Sequence, residues 1–180
     1  MPTRLDLSNI TLMDALDLAA LIELEACKRY QQFAESLGTG REGDAGGVFQ
    51  MMVVNENKHC EQIAERRLEL FGQTPPNVKL SDITDVEAPE VGATRWDMST
   101  LKAYLVALAA EEKAHAFYDD ALRHVTQPDV KALFEELREE EAEHVAMVKE
   151  LIANLPPEAA EELEDEDYDP DQPVRGSSEM

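Results

Sequence analysis

The sequence predicts an all-α fold, a four-helix bundle made of two antiparallel helical hairpins joined by a long crossover linker. Three observations carry this prediction. Apolar residues recur at three- and four-residue spacing over four stretches of about 27 residues. Each stretch opens at a capping residue or a proline and closes near glycine or proline. The third and fourth stretches also repeat the first and second at fixed offsets.

Thr11 is the N-cap of the first helix, with Asp14 placed to favour the exposed amides of its first turn. Helical spacing continues to Gly38, and the segment 38–47 holds five glycines, which marks a flexible connection. Asp44 caps a second helix running to Phe71, where Gly72 supplies the stop. Residues 73–98 contain Pro75, Pro76 and Pro89 without sustained periodicity. This linker can run the length of helices roughly 40 Å long, which allows a crossover topology. Ser99 caps a third helix lasting to about Val125. Pro128 opens a fourth that continues to about Leu155 and ends at Pro156-Pro157. The bundle therefore occupies residues 1–155. The remainder, 156–180, is an acidic tail: residues 158–171 carry nine acidic side chains and no basic one, too polar to offset the entropy of ordering, so disorder is predicted.

The chain has 39 Asp+Glu against 16 Lys+Arg, a formal net charge of -23. Such a surface repels phosphate backbones and anionic membranes and attracts cations, which argues against nucleic-acid and membrane partners. No stretch approaches the roughly 20 apolar residues that span a bilayer. The opening Met1-Pro2-Thr3-Arg4-Leu5-Asp6 lacks the apolar core of a secretion signal. The two cysteines, Cys27 and Cys60, form no C-x-x-C pair, so no disulfide framework or four-cysteine centre is expected within this chain. A soluble cytoplasmic protein is the expectation.

The internal repeat places polar residues on otherwise apolar seams. The first helix gives Met13, Leu16, Ala20, Glu23, Cys27, Tyr30, Ala34 and Leu37. The third gives Leu101, Tyr104, Leu108, Glu111, His115, Tyr118, Leu122 and Val125, each 88 positions after its partner. The second gives Phe49, Met52, Glu56, His59, Ile63, Arg66 and Leu70, and the fourth gives Phe134, Leu137, Glu141, His144, Val148, Leu151 and Leu155, each 85 positions later. Here the polar pair is Glu-x-x-His, whose spacing sets both side chains on one helix face. Each hairpin thus presents one Glu and one Glu-x-x-His toward the bundle axis.

In so acidic a chain a single Glu-x-x-His carries little weight. Glu112-Lys-Ala-His115 reads as a chance match, and Glu139, Glu140 and Glu143 read as solvated-face charges. A Glu on an apolar seam is different, because burying an unpaired carboxylate costs several kcal/mol and four at one level repel one another. Two divalent cations balance four carboxylates, and the imidazoles of His59 and His144 complete the shell. The set Glu23, Glu56, His59, Glu111, Glu141 and His144 is the donor pattern of di-iron and di-manganese carboxylate bundles. These oxygen and imidazole donors suit iron or manganese better than a structural zinc.

At these positions the chain resembles the rubrerythrin branch of the ferritin-like superfamily. The matching pieces are Glu23-x-x-Ala26-x-x-x-Tyr30, Asn55-Glu56-x-x-His59, Glu111 with Tyr118, and Glu141-x-x-His144, spanning about residues 11–155. The resemblance implies a non-haem di-iron centre, redox chemistry with hydrogen peroxide or dioxygen, and a homodimer. It implies Glu56 and Glu141 as bridging carboxylates, Glu23 and Glu111 as terminal ligands, and Tyr30 and Tyr118 as hydrogen-bond donors to carboxylates across the bundle. There are two departures. The chain carries no four-cysteine rubredoxin motif, so an external electron donor is expected. Ala114 also stands where many rubrerythrins carry a further Glu.

Among the other residues, His115 reads as a packed neighbour of the site, Cys27 as a small buried filler and Cys60 as pointing off the seam. Arg66 is expected to reach solvent or pair with an acid, and His124 to lie on the surface. The function expected is a di-iron oxidoreductase, a peroxide reductase or ferroxidase. The alternatives are an iron storage or carrier protein and a hydroxylase of a small organic substrate.

Overall fold

The computed structural model describes residues 5–38, 44–82, 86, 89 and 98–160. Among them are four long helices and no strand: α1 (Leu12–Leu37), α2 (Ala45–Phe71), α3 (Thr100–Ala121) and α4 (Pro128–Ala153). The starts are fixed by local chemistry. The side chains of Thr11, Asp44 and Ser99 accept from the amides of Asp14, Gly47 and Lys102 at 3.2, 2.8 and 3.2 Å. At α4 no side chain caps, and Pro128 simply removes one amide that would otherwise lack a partner. Gly72 closes α2 at φ 57°, a left-handed conformation that glycine adopts without penalty, and its amide bonds to the Leu68 carbonyl at 2.8 Å.

The third helix departs from expectation in two ways. It ends at Ala121, not near Val125. There the amides of Arg123 and His124 turn back to the carbonyls of Asp120 and Ala121, tightening the chain before the extended residue that Pro128 requires. Its buried stripe is also rotated from the predicted seam. Ala103, Ala107, Ala110, Ala114 and Ala121 are buried, whereas Leu101, Tyr104, Leu108, His115 and Leu122 are half-buried at the flank. Glu111, Tyr118 and Val125 of the predicted seam do lie inside.

Two apolar clusters fix the topology. The first joins Leu16 and Leu18 of α1, Ile63 of α2, Phe117 and Tyr118 of α3, and Leu133 and Phe134 of α4. The second joins Tyr30 and Phe33 of α1, Phe49 and Met52 of α2, Ala103 and Ala107 of α3, and Val148 of α4. The start of α2 and the start of α3 therefore lie at the same end, so α2 and α3 run parallel and each hairpin is antiparallel. The linker must return the length of the bundle, as predicted. Val78 and Val86 are buried in the first cluster, Pro89 accepts from Arg29 Nη1 of α1 at 2.9 Å, and Met98 is buried in the second. The linker is not wholly irregular, because Leu80–Asp82 form a 3-10 turn closed by Lys79 N–H donating to Asp82 Oδ2 at 2.9 Å.

At the other end of the chain, Pro157–Ala160 form a 3-10 turn against α3, so the expected disorder does not begin at 156. The proline ends the helix and lets the Ala159 amide reach the Pro156 carbonyl at 3.0 Å. The rest of the acidic tail lies outside the described residues. Leu7 and Ile10, ahead of the first cap, are buried in the first cluster, which periodicity did not signal. No described helix is long and apolar enough to cross a membrane.

An ion pair locks the linker's first turn to α1. Arg67 Nε donates to the buried Asp17 Oδ1 at 2.7 Å, and its other nitrogens donate to the carbonyls of Gly72 and Thr74 at 3.1 and 2.7 Å. Removing one partner of such a pair strands a desolvated charge. Arg67→Met is therefore expected to destabilise the metal-free protein by about 3 kcal/mol, and adding Asp17→Leu should recover much of the loss. Urea denaturation of the two variants with a chelator present measures both numbers.

Candidate metal centre

Helical phase brings four carboxylates to one level. Glu23 of α1, Glu56 of α2 and Glu111 of α3 are 0% exposed, and Glu141 of α4 is 1% exposed. They lie between the two apolar clusters, which wall the level off from water on both sides. His59 and His144 follow one turn after Glu56 and Glu141. Their side chains are 11% and 13% exposed, and the ring centroids stand 4.6 Å apart across α2 and α4.

The closest grouping is Glu56, Glu111 and His144, each of which offers one donor atom within 4.8 Å of the others. His144 Nδ1 lies 3.1 Å from Glu111 Oε2 and 3.7 Å from Glu141 Oε2. Tyr30 Oη donates to Glu111 Oε1 at 3.1 Å, so Glu111 is held from both sides. Tyr118 is fully buried on the opposite side, its ring packed against Phe117 and Phe134 at centroid distances of 5.2 and 5.5 Å.

The residues around the cluster refine the sequence reading. Glu140 is not a solvated-face charge: it is half-buried, with Oε2 3.9 Å from His59 Nδ1. No pattern within α4 signals this, because the contact is made across to α2. His115 lines an outer cleft with Glu112, Ala142, Val145 and Lys149, away from the convergent donors. Cys27 is buried, as expected of a small filler; its Sγ lies 3.3 Å from Asn57 Oδ1, and burial pushes its thiol pKa up. Cys60 is half-buried, with its thiol likewise raised by burial. Arg66 pairs with Glu136 at 2.8 Å, and His124 is exposed beside Asp120.

Electrostatics show what the cluster lacks. No amide, hydroxyl or cationic group among the described residues donates to either buried oxygen of Glu23, whose neighbour is the carboxyl of Glu56. Burial pushes Glu23 up to about 7; a hydrogen bond with Glu56 opposes this, and the charge of Glu111 reinforces it. His59 is held down at about 4 by burial first and then by the charges of His144 and Lys58. At neutral pH it is therefore an uncharged donor. For His144, burial favours the neutral form, but the hydrogen bond and charge of Glu111, with Glu23 and Glu140, outweigh it and raise the pKa. Excess negative charge in a dry pocket with neutral imidazole at hand is a fit for cations.

A sequence model of the rubrerythrin family matches residues 14–152, with a second, overlapping match over 102–171. The structure is similar to a crystal structure of an uncharacterized conserved protein from Magnetospirillum magnetotacticum MS-1. The likeness has a TM-score of 0.63 and 27% sequence identity, and it covers 82% of this chain and 97% of that one. The comparison with curated proteins found no match.

The raised pKa of Glu23 makes a signed prediction. Its folded value lies above the unfolded 4.5, so its contribution is lost as pH rises through about 7. Glu23→Gln imitates the protonated carboxyl. The variant should match the wild type near pH 4.5 and exceed it in stability by about 3 kcal/mol at pH 8 when both are metal-free. Urea denaturation at the two pH values with a chelator present checks this. Subtracting the wild type cancels the opposing contribution of His59.

Proposed function

The chain belongs to the rubrerythrin family, and from that premise we propose that it is a non-haem di-iron oxidoreductase that reduces hydrogen peroxide or dioxygen with electrons from an external donor. The observation that carries this reading is the complete burial of four glutamates at one level of the bundle, with two imidazoles beside them. Glu23, Glu56, Glu111, Glu141, His59 and His144 would hold the two ions, with Glu56 and Glu141 as the shared carboxylates. Carboxylate and imidazole donors suit iron and manganese, and iron is favoured because each of two adjacent ions can give one electron to a two-electron reduction.

The chain's own residues supply position and exclusion. Tyr30 Oη holds Glu111 Oε1, which leaves Oε2 directed at His144. That outer hydrogen bond fixes the carboxylate's orientation without taking both of its oxygens. The apolar residues on either side, Ile22 and Leu137 in one cluster and Met52 and Ala110 in the other, keep water from the level and strengthen every charge interaction within it. In the metal-free state Glu23 holds a proton near neutrality, so loading cations must release it, and affinity rises with pH. A homodimer and a cytoplasmic setting complete the proposal, by likeness to the family.

Anaerobic titration with ferrous ion should load two ions per chain. It should stabilise the fold by about 5 kcal/mol, roughly 2.7 kcal/mol for each ion, when free ion stands at one hundred times the Kd of both sites. The loaded protein is then expected to consume peroxide or dioxygen faster than the same amount of free ferrous ion. Tight retention of metal with consumption at the free-ion rate would instead identify a carrier or storage protein.

A further inference from the structure

The four glutamates are sealed by the packing that makes them costly to bury, so a cation needs a way in. Among the described residues, a cavity of about 290 Å³ between α2 and α4 has His59 in its wall. Its inner surface is apolar, with Leu16 and Leu133, and its polar lining includes Gln62, Arg66, Glu136 and Glu140. Arg66 sits 2.8 Å from Glu136 and cancels its charge. The lining charge not offset within the cavity is that of Glu140, whose Oε2 is 3.9 Å from His59 Nδ1.

We infer that this cavity is the port through which divalent iron reaches the buried glutamates, with Glu140 as the transfer ligand that takes the hydrated cation and hands it to His59. The inference rests on the metal-centre reading above and adds a route and a residue to it. A carboxylate inside a low-dielectric wall concentrates cations from the solvent. Glu140 is suited to passing one on, because it stands outside the buried glutamates and faces His59, a partly covered member of the donor set. The Arg66–Glu136 pair keeps the rim from holding the cation at a second acid. Transfer involves no change of oxidation state: water leaves the cation as carboxylate and imidazole replace it.

The test follows uptake of Co(II), which binds such donors and does not react with oxidant, by stopped-flow absorbance on the full metal-free chain. Glu140→Gln is expected to slow loading about tenfold or more and to leave the final stoichiometry at the wild-type value. Gln62→Trp, an exposed position at the cavity wall, should slow it as well by obstruction. Glu139→Gln removes the same charge from an exposed site outside the cavity and should load at the wild-type rate. Loading of Glu140→Gln or Gln62→Trp at the wild-type rate overturns the port, as does an equal slowing by Glu139→Gln. A loss of bound ion in Glu140→Gln overturns the transfer role by making Glu140 a standing ligand. A wild-type chain that takes up no Co(II) overturns the metal-centre reading itself, which separates that failure from a failure of the route.

Discussion

The burial of four carboxylates at one depth is the constraint on which the rest of the structure depends. Glu23, Glu56, Glu111 and Glu141 are withdrawn from water by the two apolar clusters that give the bundle its core. That placement is unfavourable for charged groups unless cations or protons accompany them. The same walls that raise the cost also sharpen the selectivity of the level for positive charge, since little solvent screens it. Helix phase, the hydrogen bond from Tyr30 and the neutral state of His59 all serve the arrangement of this one layer.

The topology that delivers the layer is a hairpin used twice. Each copy contributes one Glu from its first helix and Glu-x-x-His from its second. The parallel relation of α2 and α3 requires a linker that returns along the bundle, and Val78, Val86 and the Arg29–Pro89 contact hold it there. The buried stripe of α3 is alanine, and Tyr30 of α1 reaches Glu111 on that helix.

Much of this was legible in the sequence, and what was not has identifiable physical causes. Helix starts at Thr11, Asp44, Ser99 and Pro128 could be read because capping is a short-range matter, settled within a turn. The positions of Glu23, Glu56, Glu111 and Glu141 were legible because a charged residue interrupts an apolar rhythm. The face of α3 was misread because hydrophobic spacing favours large residues, and here Leu101 and Leu108 flank a stripe of Ala103, Ala107 and Ala114. Glu140 and the Asp17–Arg67 pair depend on the register between helices, which no pattern within one helix specifies. Leu7 and Ile10 lie in a segment too short for periodicity to signal burial.

Both apolar clusters draw on all four helices, so neither corresponds to a continuous piece of chain that could form alone. A separate hairpin brings only two glutamates near one another. All four meet only when the halves dock. The electrostatic barrier of the layer therefore falls on the docking step of folding, and cations or acid in the medium act as catalysts of that step as well as stabilisers of its product.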